Sequence, residues 1–326
     1  MKKSFFGLMA GLLISTVCLA WQPPGVVRVV VGQGPGGGNE WAFRTISTVL
    51  ERNVPGTRFI FDHKPGLDSV VAINHFAEQK PDGSSIIVIV QATGFVASPI
   101  AYRSQLQADP MRFGFVSTLA KSPLALVVPS NSKLQTVPDL IAYLKNEKNT
   151  VNIGISGGIN LLAYHYLLEK LAVSPQRVQA IRFNSPTENS VAAASGTVDI
   201  SIVPMSVPKP LIDAGRVRLL AHTGFGPIAG AESVPLIKDH VPGLSIDNAW
   251  SVFLPPGTPS EIVKWYSDTI VQALQDPEVK RTYENNWAVI DRSTLGTAGL
   301  ANSIELLRKN WLPTAVRVLA NENQGK

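Results

Sequence analysis

Cysteine is nearly absent: the 326-residue chain has one, Cys18. That excludes a disulfide framework within one chain and any thiol nucleophile beyond Cys18. Charge is sparse, at 16% of residues. No Lys/Arg block suggests nucleic acid or a membrane surface as a partner. The five histidines, His63, His75, His165, His222 and His240, show neither H-x-x-x-H spacing nor an H-E-x-x-H motif. No metal site and no cofactor is indicated. There is no internal repeat and no low-complexity tail. Beyond the N-terminus no segment is long and apolar enough to span a bilayer. Apolar residues still make up 45% of the chain, enough to bury a sizeable core.

The N-terminus is the exception to these absences. In MKKSFFGLMAGLLISTVCLA, Lys2 and Lys3 precede an uncharged apolar stretch, Phe5 to Leu19. Cys18 and Ala20 stand at −3 and −1 of a plausible cleavage site. Residues 1–20 therefore read as a cleavable secretory signal peptide, and the expected location is the periplasm. A membrane anchor is the alternative, but a span wants roughly 20 apolar residues. Lipidation of Cys18 is a second alternative, poorly served by Ser15-Thr16-Val17. Without Lys2 and Lys3, Lys+Arg falls from 29 to 27 against 24 acids, a net charge of +3.

After residue 24, β-rich runs alternate with helical patterns, which predicts α/β layers. The expected strands are 26–31, 58–62, 85–91, 124–129, 151–155, 179–183, 199–203, 217–222 and 250–254. Several are continuous Val/Ile runs, the mark of strands buried on both faces. Expected helices run from Asn39, as cap, to Arg52, then over 69–77, 137–145, 161–171, 188–195, 208–214, 259–274 and 298–319. Two apolar strands end in proline-bearing turns, PLALVVPSNS (123–132) and NAWSVFLPPGTP (248–259). Taken as crossings, they divide the chain into a discontinuous lobe, 25–123 plus 250–326, and an inserted lobe, 124–249. A ligand would then sit in the cleft at the carboxyl ends of the strands.

Glycine loops follow two of these strands. VVRVVVGQGPGGGNEW (26–41) contains a literal G-x-G-x-x-G at Gly32, Gly34 and Gly37. With Asp62 as the later acid this reads as a dinucleotide fingerprint, although the loop is glycine-denser than that motif requires and a secreted chain meets little nicotinamide cofactor. A Walker A reading fails, because no Gly-Lys-Ser/Thr follows. The physics beneath the motif is more general. A glycine loop at a helix N-terminus presents unshielded N–H groups and the positive end of the helix dipole, which suits a carboxylate or phosphate. The second loop, VNIGISGGIN (151–160), offers the Ser156 hydroxyl, the Gly157 and Gly158 amides and Asn160. A third candidate is Thr93, at the end of the strand over 85–91. Two loops, one in each expected lobe, suggest a clamp on one small anion.

GISGG (154–158) also matches the G-x-S-x-G nucleophile elbow. A secreted serine hydrolase would use Ser156, with Asp199 and His222 or His240 completing a triad. This is the enzymatic alternative to a non-catalytic binding protein.

Over nearly all of the chain after residue 24, the sequence resembles the Bug-type solute receptors of tripartite tricarboxylate transporters. The resemblance is carried by GPGGGNE (34–40), HKPG (63–66), KPDGSSIIV (80–88), GTVDISIVPMSVPKPLIDAGRVRLLAHT (196–223) and WSVFLPPGTP (250–259). It implies a two-lobed Venus-flytrap fold of the periplasmic-binding-protein kind, with mixed sheets flanked by helices and two interlobe crossings. It also implies a monomer that binds a small carboxylate and works with membrane transporter subunits, with a sensor protein as a further partner. Carried over by position, the amides of Pro35-Gly36-Gly37 and Ser156-Gly157-Gly158 would hold a ligand carboxylate. Gln33 stands where the family has an aromatic, Glu40 where it has an aspartate, and Asp68-Ser69 where it has two glycines. Phe183-Asn184-Ser185-Pro186 lacks a cation that the family carries, which turns the expected ligand towards a monocarboxylate, an amide or an aromatic acid. Trp41 and Phe95 are candidates to stack on such a ligand. The expected ligand-binding set is thus Gln33, Pro35, Gly36, Gly37, Asn39, Glu40, Thr93, Ser156, Gly157, Gly158, Asn160 and Asn184.

Overall fold

The computed structural model describes residues 21–319, so the expected signal peptide lies outside the described residues. Its first part is β1 (Val26–Val31), α1 (Gly38–Asn53), β2 (Arg58–His63), α2 (Val70–Ala77), β3 (Ser85–Val90) and α3 (Ser98–Ala101). A long strand, β4 (Gly114–Pro129), leads to α4 (Val137–Lys145), β5 (Val151–Ile155), α5 (Gly158–Leu171), β6 (Val178–Arg182) and α6 (Pro186–Ala194). Next come β7 (Ile200–Pro204), α7 (Lys209–Asp213), β8 (Val217–His222), β9 (Asp247–Leu254), α8 (Ser260–Ala273), α9 (Pro277–Asn285) and α10 (Gly296–Leu319).

The nine strands run in the order β2-β1-β3-β9-β4-β7-β5-β6, with β8 also on β4. β1 pairs in parallel with β2 and β3, and β5 with β6 and β7. β9 is antiparallel to both β3 and β4. The sheet is therefore mixed, and β4 joins its two halves. Gly114–Pro123 pairs with β9, whereas Leu124–Pro129 pairs with β7 and β8. Pro123 stands at the switch, where the chain changes partners and a missing N–H is tolerated. The chain returns from the second half at Asp247, which pairs with Pro123.

Valine-rich β1 shows why the sheet is covered on both faces. Val27, Val29 and Val31 alternate onto the face packed by Phe43, Ile46 and Leu50 of α1. Val30 points the other way, to Ile73 and Phe76 of α2 and Ile87 and Ile89 of β3. In the second half, Ile153 and Ile155 pack with Leu161 and Leu162 of α5. Ala125, Val127 and Val203 pack with Ala193 of α6 on the opposite face. α10 braces the back. Its Arg308 donates to the Phe95 carbonyl at 3.1 Å, and its Arg317 pairs with Glu169 of α5. Among the described residues no helix is long and apolar enough to cross a membrane.

Three elements depart from the sequence expectation. β4 begins at Gly114, ten residues before the expected strand, and neither α3 nor α9 is among the expected helices. α1 is also capped differently. Gly37, not Asn39, is its N-cap, and Asn39 lies in the first turn.

Candidate functional site

The carboxyl ends of β1, β3, β5, β6 and β7 converge on one cavity of about 590 Å³, lined from both halves of the sheet. This is where an open α/β sheet places a ligand. Of the expected residues, Gln33, Asn39, Thr93, Ser156, Gly157, Asn160 and Asn184 line it. Pro35, Gly36, Gly37, Glu40 and Gly158 are not on its wall.

The first loop explains itself through its side chains. Gln33 turns back so that its Oε1 accepts the Asn39 N–H at 3.1 Å, capping α1 from outside the helix. The Gly37 N–H donates to the Gly34 carbonyl at 3.1 Å, and the Gly36 N–H to Glu40 Oε2 at 2.9 Å. Neither of these two amides faces the cavity, and Pro35 has none to offer. Glu40 is nearly buried and sits in a pocket of its own, with His63 Nε2 at 2.8 Å and the Arg44 guanidinium on its other oxygen. Burial works against its charge. The hydrogen bonds from Arg44, His63 and Gly36 outweigh that and hold its pKa at about 2. An acid in the first turn also answers the dipole of α1. Glu40 therefore orders the loop and does not confront a ligand.

The glycines of this loop serve close approach. A Cβ on Gly32 would stand 2.2 Å from Ser69 Oγ and 2.8 Å from Ser69 Cα. The loop after β1 and the turn before α2 thus meet backbone to backbone. Asp62, the acid of the dinucleotide reading, pairs with Lys64 and His75 and does not line the cavity.

The second loop contributes more directly. Ser156 Oγ is buried with no partner among the described residues. Asn160 lines the cavity, but its Nδ2 donates to the Ile202 carbonyl at 2.8 Å, which ties α5 to β7. None of Asp199, His222 and His240, the partners of the hydrolase reading, lines the cavity with Ser156. Asp199 accepts from the Asn152 amide and the Tyr143 hydroxyl. His222 is fully buried, takes the Gly224 N–H on Nδ1, and is absent from the cavity wall. Burial, with Lys238 nearby, pushes its pKa down. Ser156 also lacks the positive φ of a strained elbow.

Sequence reasoning missed several wall residues: Asp68, Ser69, Tyr102, Arg182 and Asn248. Arg182 corrects one expectation. The segment 183–186 has no cation, but Arg182, the last residue of β6, supplies one to the cavity. The signal was available, since a base ending a strand falls where the strand-end rule puts the cleft. The aromatic stacking expectation is also corrected. Trp41 packs on Trp250 and Tyr283, and Phe95 on Phe253 and Phe115, and neither lines the cavity.

One further wall group has an unmet need. Asn39 is 1% exposed and its Oδ1 has no hydrogen-bond partner among the described residues. A buried acceptor left without a donor is costly. The cavity can therefore gain from a ligand that brings an N–H or O–H.

Comparison with known proteins agrees with this geometry. A UPF0065 protein of Cupriavidus necator is 26% identical over 299 residues, covering 86% of this chain and 88% of that one. A solved structure of R. palustris Rpa4515 with adipate superposes with a TM-score of 0.80 at 24% identity, covering 90% of this chain and 96% of the other. MatC (Rpa3494) from Rhodopseudomonas palustris with bound malate gives 0.79 at 20% identity, covering 90% and 99%. The fold is thus the two-lobed α/β fold of periplasmic binding proteins. The model of the tripartite tricarboxylate transporter family receptor matches residues 43–294, and the chain belongs to that family.

Proposed function

We propose that this protein is an extracytoplasmic receptor that captures a small carboxylate in the cavity between its lobes and delivers it to membrane transporter subunits. The observation that carries this reading is the cavity itself. It is built from strand ends of both sheet halves, carries polar and apolar groups alike, and belongs to a chain of a transporter receptor family. The malate and adipate in the similar structures support a carboxylate as the ligand class. Lobe one would comprise 25–123 plus 250–326 and lobe two 124–249, and ligand would favour their closure. Gln33, Asn39, Thr93, Ser156, Gly157, Asn160 and Asn184 are the wall residues we assign to ligand from the original set. Cleavage after Ala20 would release the protein into the periplasm as a monomer. The role we assign is binding and delivery, not catalysis.

A thermal-shift screen of carboxylic acids tests the reading. A few acids should raise the melting temperature through linkage, by an amount that grows with concentration. No shift with any acid, together with esterase turnover that disappears in Ser156→Ala, would replace the receptor with the hydrolase.

A further inference from the structure

Among the described residues that line the cavity, the charged side chains are one acid, Asp68, and one base, Arg182. Asp68 occupies the place an anionic ligand would take. Its Oδ2 lies 3.4 Å from where a Cβ of Gly158, at the start of α5, would be. Its Oδ1 lies 3.5 Å from where a Cβ of Gly157 would be. The Tyr102 hydroxyl donates to its Oδ2 at 3.4 Å. The N-terminus of α5 is thus already answered by a carboxylate of the chain itself.

The backbone is bent to put it there. Leu67, Asp68 and Ser69 have φ of 48°, 50° and 74°, three successive left-handed residues without a glycine. The buried Ser98 hydroxyl holds the Asp68 carbonyl at 2.8 Å. Strain of this kind persists where the surroundings over-determine it, and it clusters at ligand sites.

The consequence concerns ligand charge. A ligand carboxylate directed to the second loop would meet the Asp68 carboxylate at close range, whereas a protonated amine would be attracted to it. The unpartnered Asn39 Oδ1 on the same wall asks for a donor as well. Burial pushes the Asp68 carboxyl above its ordinary range. Arg182, Tyr102 and the Gly158 amide do not cancel that push, so a further positive charge would be welcome. Arg182 suits the acid end of the same ligand.

We infer that Asp68 is a specificity-determining residue that fills the second glycine loop in place of a ligand carboxylate and selects zwitterionic solutes, acids that also carry a protonated amine. This rests on the receptor reading above.

Calorimetric titration of the exported protein with matched pairs tests it. The pairs are L-aspartate and succinate, L-glutamate and glutarate, L-leucine and 4-methylpentanoate, and L-phenylalanine and 3-phenylpropanoate. In at least one pair the amino member should bind about tenfold tighter or more. Asp68→Asn should reduce that preference to below about threefold by weakening the amino member. If Asp68→Asn does not fold by circular dichroism, Asp68→Gly, whose backbone suits the left-handed position, replaces it. Equal or tighter binding of the des-amino member in every pair overturns the inference and leaves the receptor reading intact. Equal weakening of both members by the variant reduces Asp68 to a structural role and also overturns it. Failure of all eight acids to bind overturns the inference, and the receptor reading falls with it only if the thermal-shift screen is blank as well.

Discussion

Gly158→Ala separates contacts that hold the cavity closed from contacts that hold the fold together. A Cβ at residue 158 would stand 2.8 Å from the Cβ of Ala97 and 3.4 Å from Asp68 Oδ2. Carbon atoms in contact prefer about 3.5–4.0 Å, so the start of α5 and the turn at Ala97 must part by about 1 Å. Ala97 is fully buried and has no side-chain freedom to yield. The parting also moves the start of α5 away from Asp68 and widens the cavity between its two walls. Overpacking of this size costs about 1–3 kcal/mol. A ligand bridging both walls should therefore bind about 5- to 150-fold more weakly. Unliganded protein can relax by opening, and alanine is the better helix former. Its melting temperature should move by less than about 2 °C. Titration calorimetry with the acid that gives the largest thermal shift, beside scanning calorimetry of the unliganded variant, reads both quantities. Unchanged affinity would refute the reasoning. So would a loss of affinity matched by an equal loss of unliganded stability.

Three other perturbations follow from the same geometry. Glu40→Gln should cost stability at neutral pH. A fall from 4.5 to about 2 corresponds to about 3 kcal/mol. Arg44 is largely exposed, and screening reduces this to about 1–2 kcal/mol. The folded-state pKa is depressed, so the contribution is present above pH 4.5 and is lost as pH falls towards about 2. Urea unfolding of wild type and variant should converge over that window, and a gap that persists below it would contradict the assignment. Gly32→Ala should destabilise by about 1–3 kcal/mol. Adding Ser69→Gly should recover only part of it, because the Ser69 Cα remains 2.8 Å from the new methyl; full recovery in thermal melts would mean the backbones can separate. Ser156→Ala should leave unliganded stability within about 0.5 kcal/mol, since the hydroxyl has no partner. It should weaken ligand binding about 5- to 10-fold if that hydroxyl bonds the ligand, and unchanged affinity would remove it from the set.

β3 was legible because burial on both faces leaves the continuous run Ile86–Val90, and β1 because valines flank its one exposed base, Arg28. The first half of β4 was not. Its buried residues include Ser117, Thr118 and Ser122, and Thr118 belongs with Ser251 to a polar cluster around Gln91. Polar residues buried on a sheet face erase the hydrophobic period that marks a strand, and Pro123 imitates a turn. α9 carried a readable start, Asp276 followed by Pro277, but only Val279 and Tyr283 of its residues are buried. Within the site, the rule that ligands gather at strand ends located both glycine loops. Which amides are free depends on Gln33 and Glu40 folding back onto their own loop, a matter of side-chain geometry that residue type does not reveal. Asp68, Tyr102 and Arg182 come from three separate segments and converge only in the folded chain.

The insertion of β9 between β3 and β4 has a kinetic consequence. β3 is complete at Val90, yet its antiparallel neighbour begins at Asp247, after the whole second half of the sheet. Until that late segment arrives, β3 presents an unpaired edge made of Ser85-Ile86-Ile87-Val88-Ile89-Val90. Such an edge invites strand addition from another chain. Contacts this distant in sequence also close slowly. A chain that emerges N-terminus first therefore passes through a stage when its stickiest strand waits for a partner still to come. Its yield should depend on what shields that edge in the interval.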